Sequence, residues 1–270
     1  MFLAEPSAVN AHDPLPTSPF LVATIGERTF RTGPAWYGDL ALSPDGALLA
    51  GGTGPTVVLL DAKTGAPARW IGVTPALNVT GLAFTADGAR LVAAGWDDHF
   101  VLLDVATGAQ TARIPLGRAH AMTLAASPAD PDLVFTGGFE EHAKLWSLRD
   151  ARVVWEVPCW SGEHALDAKH YLHASSFSSD GRLLITVAYG GADLWDVAQQ
   201  QHLQRLGDED FSVAGAAFSR ADRSIILTST TGHVARYDTS VGHRLADALC
   251  PSGNRSLHRP VVTPDGALLL

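Results

Sequence analysis

Apolar residues along this chain come in short runs, and each run is broken by a small cluster of turn-forming residues. The stretch from Val79 to Leu116 shows the pattern clearly. Val79 to Thr85 alternates apolar and small residues, and Ala86-Asp87-Gly88 follows as a turn. Asp can hydrogen-bond its own backbone there, and Gly accepts a positive φ. Arg90 to Gly95 is a short apolar run that Trp96-Asp97-Asp98-His99 breaks. Phe100 to Val105 is apolar again, Ala106-Thr107-Gly108 is a second turn, and Gln110 to Leu116 alternates once more. Four short strands with tight turns between them predict an antiparallel meander. No window carries an apolar stripe of 3.6-residue period over three turns, so little helix is expected.

The unit repeats. Ser43-Pro44-Asp45-Gly46 leads to Leu60-Asp61, and Thr85-Ala86-Asp87-Gly88 to Leu103-Asp104. Ser127-Pro128-Ala129-Asp130 leads to Trp146-Ser147, Ser178-Ser179-Asp180-Gly181 to Trp195-Asp196, and Ser219-Arg220-Ala221-Asp222 to Tyr237-Asp238. Thr263-Pro264-Asp265-Gly266 opens a further copy. Positions 60, 103, 146, 195 and 237 are separated by 43, 43, 49 and 42 residues. A period near forty marks a repeat architecture. Four thin strands cannot cover both of their faces, so the sheets must lean on one another, and radial stacking gives a propeller.

The Ser-Pro-Asp-Gly turn, the Leu-X-Trp-Asp element and the Thr-Gly after it resemble the repeat of the WD-repeat β-propeller family, over roughly residues 20–270. The resemblance implies an all-β fold of four-stranded antiparallel blades near 38–72, 80–116, 122–159, 173–208 and 215–250. A partial blade at 259–270 would be closed by an outer strand at 20–26. The ring is expected to be incomplete here, with the full protein continuing to six or seven blades. The family links a Gly-His pair, a turn Asp, a second-strand hydroxyl and a third-strand Trp by hydrogen bonds. The hydroxyl and ring are expected as Thr136 with Trp146, Thr186 with Trp195, and Thr228 with Tyr237. Leu60 and Leu103 replace the ring in the first two copies, and His120 lies close to the Gly-His position but shifted. Stability is therefore expected mainly from apolar packing between blades.

Composition narrows the function classes. With 270 residues and 46% hydrophobic content the chain can bury a sizeable core, and shared repeats argue for one domain. Residues 1–19 hold four Pro and little periodicity, which predicts a disordered leader or linker rather than a signal peptide. No segment approaches a membrane span in length. Cys159 and Cys250 fall two repeats apart, beyond disulfide reach in this fold, and cysteine poverty fits a cytoplasmic protein. A net charge of −9 argues against a nucleic-acid backbone as partner. Three Lys against 16 Arg suggest a GC-rich, bacterial genome.

Function is expected on the rim loops, because the strands are scaffold. The resemblance gathers the middle turns and the loops before each first strand on one rim. The residues there are Trp36, Tyr37, Trp96, Asp97, Asp98, His120, Phe139, Glu140, Glu141, Trp160, Tyr171, Tyr189, Asp210, Phe211 and Arg255. Aromatic residues mixed with charge are hot-spot types. Trp36 and Trp96 could instead fold down and plug the channel. Acidic clusters at Asp97-Asp98, Glu140-Glu141 and Asp208-Glu209-Asp210 would favour a basic peptide or protein loop. The long stretch from Cys159 to His173 carries three His, yet its spacing matches no ligand motif, so no metal and no cofactor are expected. No nucleophile elbow, zincin helix or phosphate loop occurs. The expectation is a non-catalytic protein–protein interaction scaffold or sensor module. The alternative is a lactonase-like propeller enzyme, for which His99, Glu141 and His173 are the candidate channel-mouth groups.

Overall fold

The computed structural model describes residues 40–73, 79–95, 97–117, 121–138, 142–158, 172–188, 191–207, 212–219, 222–249, 261–262 and 268–269. No helix occurs among them. The first sheet is β1 (Leu40–Leu42), β2 (Leu48–Thr53), β3 (Thr56–Asp61) and β4 (Pro67–Gly72). The second is β5 (Val79–Phe84), β6 (Arg90–Gly95), β7 (His99–Asp104) and β8 (Gln110–Pro115). The third is β9 (Ala121–Ala126), β10 (Leu133–Gly138), β11 (His142–Ser147) and β12 (Arg152–Pro158). The fourth is β13 (Ala174–Phe177), β14 (Leu183–Ala188), β15 (Gly191–Asp196) and β16 (Gln201–Leu206). The fifth is β17 (Val213–Phe218), β18 (Ser224–Ser229), β19 (His233–Asp238) and β20 (Arg244–Leu249). Each of these five sheets is an antiparallel meander in chain order, and β21 (Val261–Val262) pairs with β22 (Leu268–Leu269) in a two-stranded sheet.

The repeated polar motifs are turn devices. Ser43 Oγ donates to Asp45 Oδ1 at 2.6 Å, while that oxygen accepts the Ala47 N–H at 3.0 Å. Ser43 Oγ also accepts the Leu48 N–H at 2.8 Å, so one hydroxyl and one carboxylate satisfy the turn. Thr85 with Asp87 and Ser178 with Asp180 repeat the hydroxyl–carboxylate bond at 2.5 and 2.7 Å. Those hydroxyls hold Asp45, Asp87 and Asp180 below the usual carboxylate pKa. Gly46, Gly88 and Gly181 close the turns at φ of 70°, 67° and 70°, and Asp222 takes the same place in the fifth sheet at 52°. The Asp that ends the third strand in four of the five sheets caps the next turn, and Ser147 takes that place in the third sheet. Asp61 Oδ1 accepts both the N–H and the hydroxyl of Thr64 at 2.7 Å, and Asp104 binds Thr107 in the same way.

Register explains the apolar-or-aromatic position that recurs before those Asp residues. Leu60, Leu103, Trp146, Trp195 and Tyr237 face Leu49, Leu91, Val134, Leu184 and Ile225 on the second strands. A shift in third-to-fourth-strand register falls immediately before each of the five. A bulge at a fixed point bends the strand and re-aims the side chain. Trp146 Nε1–H donates to Thr136 Oγ1 at 2.8 Å and Trp195 Nε1–H to Thr186 Oγ1 at 2.9 Å, as expected. The third expected pair is corrected. Thr228 faces Val234 and donates to the Gly215 carbonyl at 3.4 Å, so it stands one residue out of phase with Tyr237. The position equivalent to Thr136 and Thr186 is Leu227, and the period of two along a strand sends Thr228 to the opposite face.

The core lies between sheets. One buried cluster joins Val57, Leu59 and Ile71 of the first sheet to Leu82, Phe84, Leu91 and Val101 of the second. A second joins Phe100 and Leu102 to Val134 and Trp146, with the Phe100 and Trp146 rings edge-on at 5.4 Å. Phe135 and Leu145 meet Leu184 and Trp195 in a third, and Ile185 and Leu194 meet Ile225 and Tyr237 in a fourth. The first strands run side by side in chain order, and β21 continues the series beside β17. Side chains tie those strands together. Thr80 Oγ1 donates to the Ala121 carbonyl at 2.9 Å, Thr123 Oγ1 bonds Ser175 Oγ at 2.8 Å, and His173 Nε2 lies 3.2 Å from the Val213 carbonyl. Outer ties include Arg69, which donates to the Thr107 and Ala106 carbonyls at 2.7 and 2.8 Å. These sheets stack as propeller-like blades. On β1, Leu40 and Leu42 are 58% and 60% exposed, whereas Leu82 and Phe84 at the equivalent places on β5 are covered by the first sheet.

Candidate functional site

The turn between β6 and β7 places Asp97 and Asp98 beside the start of β7. Asp97 Oδ1 accepts the Asp98 N–H at 3.0 Å, and the Asp98 carbonyl accepts the Leu116 N–H at 2.6 Å. The turn is thus fastened to the segment that leads out of β8. His99 opens β7 and is 1% exposed. Its Nδ1 lies 2.9 Å from Asp98 Oδ1, 3.7 Å from Asp97 Oδ1 and 3.0 Å from Arg113 Nη2. Asp98 is 66% exposed and Arg113 49% exposed, and the two approach to 3.6 Å. The hydrogen bond from His99 is the largest influence holding the Asp98 carboxyl below its usual pKa, with the charges of His99 and Arg113 adding to it.

The carboxylates of Asp97 and Asp98 and the His99 imidazole bring oxygen and nitrogen donors within 4.8 Å of one another. Arg113 already supplies positive charge at that corner, which makes the cluster a guanidinium site in this arrangement. Arg113 carries no motif in the sequence. It reaches His99 because β7 and β8 pair His99 with Pro115 and Val101 with Arg113. That register depends on strand pairing, which a linear reading does not supply.

Of the rim residues expected from sequence, Asp97 and Asp98 are brought together with His99. Trp36, Tyr37, Trp96, His120, Phe139, Glu140, Glu141, Trp160, Tyr171, Tyr189, Asp210, Phe211 and Arg255 lie outside the described residues, as do Cys159 and Cys250. Of the alternative catalytic set, Glu141 also lies outside them. His99 is buried in the second sheet, and His173 is engaged with the Val213 carbonyl between the fourth and fifth sheets.

A second polar cluster sits in the fourth sheet. Asp193 is 4% exposed; its oxygens lie 2.9 Å from His202 Nε2 and 3.0 Å from Arg205 Nη1. The His202 ring meets Trp195 edge-on at 4.8 Å. Asp193 on β15 and His202 and Arg205 on β16 are cross-strand neighbours, so this group locks the outer strand onto the third.

The fold and this rim corner together define an all-β repeat protein of propeller-like sheets with an acidic turn at one end of the second sheet. No family model matches the chain, and no curated protein matches it at a significant level. No helix among the described residues is long and apolar enough to cross a membrane.

Proposed function

We propose that this chain is a WD-repeat-like β-propeller acting as a non-catalytic interaction platform in the cytoplasm. In this reading it binds a basic peptide or protein loop on the rim that carries Asp97 and Asp98. One observation carries the reading. Asp98 presents a largely exposed carboxylate that His99 and Arg113 hold in place from behind. An ionised group fixed before binding loses little freedom when a partner arrives. Two further features support it. The Ser/Thr, Asp and Gly residues of the repeats described above are spent on turns, and the net charge of −9 favours a cationic partner.

Calorimetry of the full chain with an Arg- and Lys-rich peptide, and with the same peptide rewritten in Glu, tests the proposal. Binding of the basic peptide that weakens with salt, and at least tenfold loss on Asp97→Lys with Asp98→Lys, is the expected result. Equal affinity of the charge-reversed variant, or equal binding of the Glu peptide, would sink it.

A further inference from the structure

One position of the repeat changes character in the third sheet. The residues two places before Leu60, Leu103, Trp146, Trp195 and Tyr237 are Val58, Val101, Lys144, Asp193 and Ala235. Val58, Val101 and Ala235 are at most 1% exposed. Asp193 is bound within its own sheet by His202 and Arg205. Lys144 shares a face with Trp146, which packs against the second sheet, because residues two apart on a strand point the same way. An aliphatic side chain fills such a place without a desolvation cost, whereas a lysine must bring its charge to a polar partner. The Lys144 ammonium reaches the second sheet and donates to the Leu116 carbonyl at 2.7 Å.

Leu116 is where the acidic turn of the second sheet is fastened. Its N–H donates to the Asp98 carbonyl at 2.6 Å. It lies one residue past β8, and Gly117 follows at φ 98°, where the backbone leaves the extended conformation. A bond at the end of a ladder opens more readily than one inside it. Leu116 is gripped on both sides, by the turn through its N–H and by the third sheet through its carbonyl.

We infer that Lys144 is a positioning residue for the acidic turn, taken as the partner-binding surface proposed above. By fixing Leu116 it fixes the Asp98 carbonyl, and with it the place from which the Asp98 carboxylate projects. His99 and Arg113 hold that carboxylate from the second sheet, and Lys144 holds the backbone beneath it from the third. The binding surface therefore spans the joint between two sheets. Lys144 acts on a cationic partner in two opposite senses. Its charge repels the partner, while its hydrogen bond keeps the turn in shape, so removing the ammonium shows which effect is larger.

Two variants of the full chain test this. Lys144→Met keeps a long apolar stem without the ammonium, and Lys144→Arg restores a donor. Hydrogen exchange without any peptide is read first. The Leu116 amide should exchange at least about tenfold faster in Lys144→Met, while the ladder amides of β6 and β7 keep their rates. Lys144→Arg should return Leu116 close to its original rate. In calorimetry with the Arg- and Lys-rich peptide, Lys144→Met should weaken binding at least about threefold although a positive charge has gone, and Lys144→Arg should recover it. Unchanged exchange at Leu116 in Lys144→Met would overturn the inference, as would exchange that quickens equally throughout the second sheet. Equal or tighter peptide binding by Lys144→Met would overturn it too. A peptide that the unmodified chain ignores would defeat the rim reading itself, and the exchange rates alone would then decide whether Lys144 holds the turn.

Discussion

Removing the hydroxyl beneath Trp146 tests how the third sheet is held. Thr136 Oγ1 accepts the indole N–H at 2.8 Å, and both residues are at least 95% buried. Thr136→Val keeps the shape but leaves the indole donor without a partner, at a cost of about 1–3 kcal/mol. Trp146→Phe strands the hydroxyl instead and also loses ring surface against Phe100, 5.4 Å away. That change should cost about 2–4 kcal/mol, less than the roughly 3–5 kcal/mol of a Trp→Ala truncation. The double variant contains neither polar group, so it should be about 1–2 kcal/mol more stable than the two single losses added together. Urea unfolding followed by circular dichroism, with m checked for constancy, measures all four corners of the cycle. Strict additivity within about 0.5 kcal/mol would refute the claim that this bond is part of the sheet's stability.

Three further outcomes follow from the same repeats. Tyr237→Trp with Leu227→Thr should install the missing bond in the fifth sheet and show a favourable coupling of about 1 kcal/mol, while Tyr237→Trp alone should gain nothing from Thr228; a gain by the single change would mean the register is wrong. Ala151 sits at φ 51° where Gly65, Gly108 and Gly242 stand in other sheets, so Ala151→Gly should raise stability by about 0.5–1 kcal/mol, read as a higher urea midpoint. Asp45, Asp61, Asp87, Asp104, Asp180 and Asp238 are held below the usual value of 3.8, foremost by a neighbouring hydroxyl. Their contribution is therefore full above about pH 4 and falls away as pH drops through the lowered values. Thr85→Ala should shift the Asp87 carboxyl titration upward and shrink that acid sensitivity, and an unmoved titration would contradict the assignment.

Much of the local structure was legible because its causes are local. The Asp-Gly turns, the strand runs and the recurring position before Asp61, Asp104 and Asp196 each depend on residues within a few places of one another. The exchange of Thr228 for Leu227 shows where this stops. Both hydroxyl and aliphatic residues fit a strand, and only cross-strand register decides which of the two neighbours lies on the same face of the sheet as Tyr237. The candidate site divides in the same way. Asp97 and Asp98 were visible as an acidic break between apolar runs, whereas the burial of His99 and its approach to Arg113 were not.

By itself the sequence determined a repeat of four short strands, its period, its turns and its acidic balance. Hydrogen bonds over a few residues and the two-residue alternation of a strand are written into neighbouring positions. The packing of apolar residues between successive sheets was expected as well, but only the tertiary structure decided which faces meet and that one imidazole is shared by a carboxylate and a guanidinium. Those facts depend on strand pairing and on contact between sheets some forty residues apart, where side chains far apart in sequence compete for the same few ångströms.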